Sequence, residues 1–105
     1  MDSLNSVLLE GDLVSDAELS YTEKNVAVCR FKLQCYRAFK AEEGVVEEVS
    51  YFDIVSRMRL AEVCAEYVKK GRGVRVVGRL KQDAEKVVIE AEHVEFKPLR
   101  KMDRK

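Results

Sequence analysis

The stretch from Tyr51 to Leu80 constrains the fold most, because it places one helical pattern between two strand patterns. Residues 51–58 read Y-F-D-I-V-S-R-M, and their aromatic and β-branched side chains alternate in part, which indicates a strand. Residues 60–68 instead space apolar side chains at i, i+3, i+4, i+7 and i+8, which predicts one apolar helix face. That face is formed by Leu60, Val63, Cys64, Tyr67 and Val68. We expect Gly71 to form a left-handed cap at the end of this helix.

The rest of the chain is rich in strand patterns. Alternation predicts strands at 5–14, 26–39, 74–80 and 86–96, with a short one at 19–22. Residues 40–48 read K-A-E-E-G-V-V-E-E, which predicts a charged hairpin loop around Gly44. A single helix between the third and fourth strands of an all-β chain is the order of an OB-fold. We therefore predict a five-stranded Greek-key barrel with one helix.

Length and composition indicate one small domain. The 105 residues suffice for a single core, which we assign to residues 1–98, and residues 99–105 form a short basic end that we expect to be disordered. No apolar run approaches the ~20 residues of a membrane span, and the N-terminus lacks a secretory pattern. The three cysteines have no metal-ligand spacing, so we expect reduced, buried thiols in a cytoplasmic protein.

Residues that could support catalysis are scarce. The single histidine, His93, lies within the last strand pattern, where a structural role is expected. Gly71-Arg72-Gly73 follows a helix instead of opening one, so it is not a phosphate loop, and no Cys/His zinc cluster is present. The sequence therefore predicts no enzyme, no cofactor and no metal site.

A second type of chemistry is stacking combined with charge, as in proteins that bind single-stranded nucleic acid. Alternation puts Arg30, Lys32, Gln34 and Tyr36 on the outward face of the second strand, with Phe39 at its far end. Tyr51, Asp53, Val55 and Arg57 share a face of the third strand, and Arg75 and Arg79 share one on the fourth. If these strands are neighbours, the outward surface is basic and aromatic. The net charge of zero, from 19 basic and 19 acidic residues, argues against a strongly basic binder, and these residues also suit ordinary cross-strand pairs or interfaces.

Beyond these patterns, the sequence resembles the bacterial single-stranded DNA-binding proteins from Asn5 to Phe96. The motif L-A-E-V-C-A-E-Y-V-K-K-G at 60–71, followed by V-R-V-V-G-R-L at 74–80, is the most specific match. Further matches are N-S-V-L-L-E-G-D-L-V at 5–14, A-V-C-R-F-K-L at 27–33 and V-V-I-E-A-E-H-V-E-F at 87–96. The resemblance implies an OB-fold, usually a homotetramer, that binds single-stranded DNA with little sequence preference in replication, recombination and repair.

The family's stacking positions transfer to three residues of this sequence. The resemblance places one stacking aromatic at Phe39 and a second at Tyr51. A third position falls on Arg57, which could contact phosphate or stack through its guanidinium group. The family's long hairpin between the fourth and fifth strands shrinks here to residues 82–85, so the aromatic it often carries is missing.

The C-terminus departs from the family pattern. A flexible linker and an acidic tip that recruits replication enzymes would be expected, but this sequence stops at Arg104-Lys105. It is either a shortened piece of a longer protein or a natural tail-less form, which puts that recruitment in doubt but leaves DNA binding possible. The alternative is an OB-fold interaction module, such as a primosomal accessory protein, with only secondary DNA contact. The short hairpin at 82–85 and the neutral charge favour that alternative, whereas Phe39, Tyr51 and the helix motif favour a nucleoid-associated DNA binder.

Overall fold

The structure, a computed structural model, describes residues 2–98. In this range the elements are β1 Val7–Leu13, β2 Glu18–Tyr21, β3 Ala27–Ala41, β4 Gly44–Arg57, α1 Met58–Tyr67, β5 Gly73–Asp83 and β6 Lys86–Phe96. The predicted basic end at 99–105 lies outside the described residues. Among the residues that are described, no helix has the length and apolar character needed to cross a membrane.

The strands form one closed sheet. Their order is β1-β5-β6-β4-β3-β2, and a further pairing of β1 with β3 closes a barrel of five strands. The closing ladder is short, with Asp12 opposite Gln34 and Leu13 opposite Leu33. β2 lies outside the barrel along the edge of β3, and the only parallel ladder joins β4 to β6 in the described range. The predicted OB-fold, with its helix between the third and fourth barrel strands, is confirmed.

Gly11 is the residue that allows the barrel to close. It lies in β1, opposite Val74 of β5 and next to the short ladder that β1 makes with β3. A Cβ atom at this position would collide with the backbone carbonyl of Gln34. Because only glycine lacks that atom, β1 can approach β3 closely enough to pair.

The barrel interior is packed with apolar side chains from the barrel strands and from α1. Leu33 and Ile54 have no exposed surface at all. The helix closes one end of the barrel by burying Ala61 and Cys64. Burial of one large apolar side chain stabilises the folded state by roughly 1.5–3 kcal/mol, so these positions contribute strongly to the stability of the barrel.

The structure corrects two details of the predicted helix. Tyr67, predicted on the buried face, is exposed, and Ala61, which the spacing did not select, is fully buried. The helix ends at Tyr67, and the N–H of Val68 donates to the carbonyl of Cys64 at 2.7 Å. Gly71 does adopt a positive φ of 88°, but in the turn that follows, so its prediction as the helix cap is wrong. The extended backbone of Val68 ends the helix before Gly71 can do so.

The region 40–48 is also different from the prediction. It was expected to be a loop, yet the ladder between β3 and β4 continues without interruption to Ala41 opposite Gly44. Only Glu42 and Glu43 form the turn. The result is a long two-stranded hairpin whose outer part, residues 36–51, is exposed on both faces except for half-buried Phe39. Glutamate is a poor strand former, which is why the charge pattern hid these strands.

Candidate nucleic-acid interface

A groove of about 400 Å³ opens on the outer side of the barrel. Its lining residues are Ser15, Asp16, Glu18, Arg30, Phe31, Lys32, Asp53, Ile54, Val55, Asp83, Ala84, Lys86 and Val88. They come from the segment between β1 and β2 with the first residue of β2, from the middle of β3 and β4, and from the turn between β5 and β6 with the adjoining ends of those strands. β3 and β4 are the second and third barrel strands, and this face, between those two connections, is where OB-folds bind oligonucleotides.

Two exposed tyrosines lie beside this groove. Lys32 and Asp53, which line it, face each other across β3 and β4, and the next pair on that side is Gln34 opposite Tyr51. Tyr36 follows two residues after Gln34, so Tyr36 and Tyr51 are diagonal neighbours on one face, about 7–8 Å apart. Their exposed fractions are 59% and 56%. Two neighbouring rings open to solvent form a platform on which bases can stack.

Phe39 does not belong to this platform. It pairs with Val46, and successive strand residues alternate between faces, so it lies on the opposite face of the hairpin from Tyr51. The guanidinium carbon of Arg37 lies 4.5 Å from the centroid of the Phe39 ring, within cation–π range. The structure therefore brings Tyr36 and Tyr51 together and separates Phe39 from both.

Glu47 gives the tyrosine platform a local negative charge. The pKa of the Tyr36 phenol is raised, first by the loss of surrounding water and then by the charge of Glu47 and a hydrogen bond to its carboxylate. All of these effects favour the neutral phenol. Tyr36 therefore presents an uncharged ring at physiological pH, as stacking requires.

The predicted basic face is balanced by carboxylates. Arg30 Nη1 lies 3.2 Å from Asp83 Oδ2, and Lys32 Nζ lies 3.6 Å from Asp53 Oδ1. Arg57, Arg75 and Arg79 also have carboxylates within ion-pair distance. The prediction of a basic surface is therefore wrong as stated, because each predicted cation faces an acid across the sheet.

The balance differs from place to place, however. Arg75 pairs with both Glu10 and Glu95, and Lys97 also pairs with Glu10, so that group carries no surplus. Asp53, in contrast, is shared between Lys32 and Lys86. Two cations therefore share one carboxylate at Asp53, although the groove lining as a whole holds four carboxylates and three cations.

A third feature of the outer face is a small apolar cluster of Val28, Val55 and Val88. All three are buried, although they lie on the side of the sheet away from the main core. Val55 was predicted to be outward-facing with Tyr51, and it is, but it is not exposed. Arg30 pairs directly opposite Val55, and long basic side chains cover apolar neighbours with their aliphatic stems. The charged groups of this face therefore lie over a buried apolar layer.

His93 and the three cysteines do not line the groove. His93 is exposed, with Nε2 3.3 Å from Glu95 Oε2. All three cysteines are free thiols, and burial raises the pKa of Cys29 to about 11. Within residues 2–98, no three His, Cys, Asp or Glu side chains gather in a way that could hold a metal ion.

Sequence reasoning missed Lys81, Lys86 and Glu90 as residues of this face. They lie on β5 and β6, and the parallel pairing of β6 with β4, which puts Val55 beside Glu90, brings the Glu90 carboxylate to Arg57. Alternation along β6 does place Lys86, Val88 and Glu90 on one face. That signal could have been used, but it does not reveal which strand lies alongside.

The family-model comparison matches residues 4–96 to the single-strand binding protein family. The chain belongs to this family. A single-stranded DNA-binding protein from Treponema pallidum is 45% identical over 82 residues, which cover 78% of this chain and 47% of that protein. One from Borreliella burgdorferi is 40% identical over 84 residues, covering 80% of this chain and 56% of that one. The chain thus spans about half the length of the curated relatives it matches.

Solved structures agree with this assignment. The wild-type single-stranded DNA binding protein from Thermus aquaticus superposes with a TM-score of 0.80 at 30% identity, covering 92% of this chain and 52% of that one. The Plasmodium falciparum protein, solved as a complex with single-stranded DNA, gives a TM-score of 0.83 at 18% identity, covering 93% of this chain and 98% of that chain. At that identity the second likeness shows the fold alone.

Proposed function

We propose that this protein binds single-stranded DNA across the outer face of β3 and β4, without marked sequence preference. It would thereby protect exposed strands during replication, recombination and repair. The observation that carries this proposal is the pair of exposed rings, Tyr36 and Tyr51, beside a groove on the OB-fold's ligand face. Every base has a flat π-face, so stacking on tyrosines tolerates any sequence.

The phosphates would follow cations of the same face that share one carboxylate with another cation. From the tyrosine platform, the path leads to Lys32 and Lys86 around Asp53, and then towards Arg57 and Arg79. Arg30 and Arg75, whose ion pairs balance, would make minor contacts. Phe39, on the other face of the hairpin, would stack only on a strand that passes around the hairpin. The activity is binding without catalysis, in the cytoplasm where the nucleoid exposes single strands.

A titration of labelled oligo-dT against the same length of duplex tests this function directly. We expect tighter binding to the single strand, because bases in a duplex are not free to stack. Affinity should also fall as salt rises, because phosphate contacts release counterions. Equal affinity for duplex, or an affinity independent of salt, would refute the proposal.

We further propose that the chain self-associates as a homotetramer, a dimer of dimers. Residues 7–11 of β1 pair with β5 on one side and with no strand of the described chain on the other. Leu8 on this strand is largely exposed. An open edge with an exposed leucine is a ready site for a second copy. Sedimentation at micromolar concentration tests this, and a monomer would contradict it.

An OB-fold interaction module is the second candidate, and the balanced charge of the outer face favours it. Ion pairs such as Arg30–Asp83 compete with DNA phosphates for the same cations. Such a module would bind oligo-dT weakly and would keep that weak affinity when Tyr51 is changed to alanine. The proposed DNA binder would lose affinity with the same change.

A further inference from the structure

One carboxylate on the outer face is approached by three cations. Glu90 Oε2 lies 3.3 Å from Arg57 Nε, and Glu90 Oε1 lies 3.3 Å from Lys81 Nζ and 4.0 Å from Arg79 Nη2. We propose that Arg57, Arg79 and Lys81 form one phosphate-binding site for the DNA backbone, and that Glu90 is the residue that positions them. The site rests on the proposed function, since its ligand is a phosphate of the bound strand.

The depth of the side chains supports this arrangement. The side chain of Glu90 is 15% exposed, whereas those of Arg57, Lys81 and Arg79 are 32%, 42% and 44% exposed. The carboxylate therefore lies below and the cations lie above it. A phosphate that arrives from solvent meets the positive groups first, and the negative group is shielded beneath them.

The charge of the group suits one phosphodiester. Arg79 Nε also lies 3.4 Å from Glu92 Oε2, so the cluster sets three cations against two carboxylates. One positive charge is left over, which a single phosphate would neutralise. Arg57 approaches Glu90 through its inner nitrogen, Nε, and makes no ion pair with another carboxylate in residues 2–98. Its two terminal nitrogens can then offer the paired hydrogen bonds that guanidinium groups make to phosphate.

The positioning role follows from the cost of ordering long side chains. Immobilising one such side chain on binding costs about twofold to tenfold in affinity. Glu90 holds three such side chains together before DNA binds. The loss of Glu90 should therefore weaken DNA binding by more than the added positive charge at an exposed surface strengthens it. A purely electrostatic role predicts the opposite sign, because removing a carboxylate reduces repulsion of a polyanion.

Glu90→Gln and Glu92→Gln therefore form a matched pair, titrated with oligo-dT at several salt concentrations. Both variants remove one negative charge beside Arg79 from the same strand, but Glu92 forms no ion pair with Arg57 or Lys81. We expect Glu90→Gln to bind about tenfold more weakly than the wild type, and Glu92→Gln to bind equally or more tightly. If Glu90→Gln binds as tightly as Glu92→Gln, the positioning role is overturned.

A second pair keeps the site testable if Glu90→Gln melts below the assay temperature. Lys81→Gln and Lys97→Gln each remove a half-exposed lysine that pairs with one glutamate, but only Lys81 belongs to the Glu90 group. We expect Lys81→Gln to reduce the slope of log K against log salt by about 0.7, the value for one phosphate of a single strand. Lys97→Gln should leave the slope unchanged. Equal slopes in the two variants would overturn the site.

The wild-type titration separates this proposal from the one on which it rests. If the wild type does not bind oligo-dT, both are wrong. If it binds, and the two variant pairs behave alike, DNA binding stands and only the Glu90 site is wrong.

Discussion

Replacing Tyr51 with alanine is the sharpest test of where the DNA lies. Loss of one stacking ring costs about 1–3 kcal/mol per base, a general range for proteins that bind single strands, this family included. That is about 5-fold to 150-fold in the dissociation constant. Tyr51 is 56% exposed and its ring contributes to no core cluster, so its removal leaves no buried cavity. Stability should therefore change by no more than about 0.5 kcal/mol.

The assay pairs an oligo-dT titration with thermal melting and native mass for each variant. Tyr51→Phe should bind like the wild type, because stacking uses the ring and not the hydroxyl. Tyr21→Ala is the matched control and should bind like the wild type. The side chain of Tyr21 is 53% exposed, nearly as much as that of Tyr51, but Tyr21 lies on β2 opposite Ala27 of the main core and not on the tyrosine platform. If Tyr51→Ala binds normally, or if it weakens binding only by melting early or dissociating the oligomer, the DNA has been assigned to the wrong surface.

Three further predictions follow from particular contacts. Glu47→Gln should tighten oligo-dT binding and lower the pKa of Tyr36 measured by ultraviolet titration. Glu48→Gln should have a smaller effect on both quantities, because Glu48 faces Arg37 on the other side of the hairpin. A larger effect of Glu48→Gln than of Glu47→Gln would contradict the assigned faces. Gly78→Ala should destabilise the fold by about 2 kcal/mol or more in urea unfolding, since its Cβ would collide with the carbonyl of Glu90; unchanged stability would count against the tight β5–β6 pairing there. The free energy of unfolding should fall as pH rises from about 9 to about 11, because burial raises the pKa of the Cys29 thiol to about 11 in the folded state and the unfolded chain ionises first. Cys29→Ala should make this fall with pH less steep, and an equally steep fall in the variant would refute the assignment.

The fold could be predicted because its signals are local. The spacing of Leu60 and Cys64 along the helix, and the alternation from Ala27 to Cys35, depend only on neighbours in the sequence. Both patterns survive in the structure, where the inward residues of β3 form the core. The spacing of apolar residues and the order of the helix and strands along the chain were therefore enough to predict an OB-fold.

The candidate site was harder to predict because it depends on cross-strand register. The resemblance gave both Phe39 and Tyr51 as stacking positions, but the uninterrupted ladder from Val28 to Ala41 puts them on opposite faces. The ladder length depended on whether residues 40–48 formed a loop, and charge alone could not decide that. Tyr36, named among the candidates, is instead the neighbour of Tyr51.

The electrostatics of the site could not be read from the sequence for a related reason. Arg57 and Glu90 are far apart in the chain, and they meet only because β4 and β6 run in parallel. Sequence counts gave a neutral total, but not the pairing that neutralises Arg75 and places both Lys32 and Lys86 beside Asp53. Distribution of charge in space is set by topology, which a linear pattern does not contain.

The long hairpin of β3 and β4 also sets where this molecule opens. Beyond Cys35, each strand of the hairpin pairs only with the other among the described residues, and the side chains there bury little apolar surface. A two-stranded ribbon is marginally stable in water, whereas the barrel behind it shares one core. Backbone amides at 36–50 should therefore exchange with deuterium by local opening, long before those of Leu33 or Ile54, which need global unfolding. The tyrosine platform lies where the hairpin meets the barrel, so bound single-stranded DNA would slow amide exchange most in the hairpin.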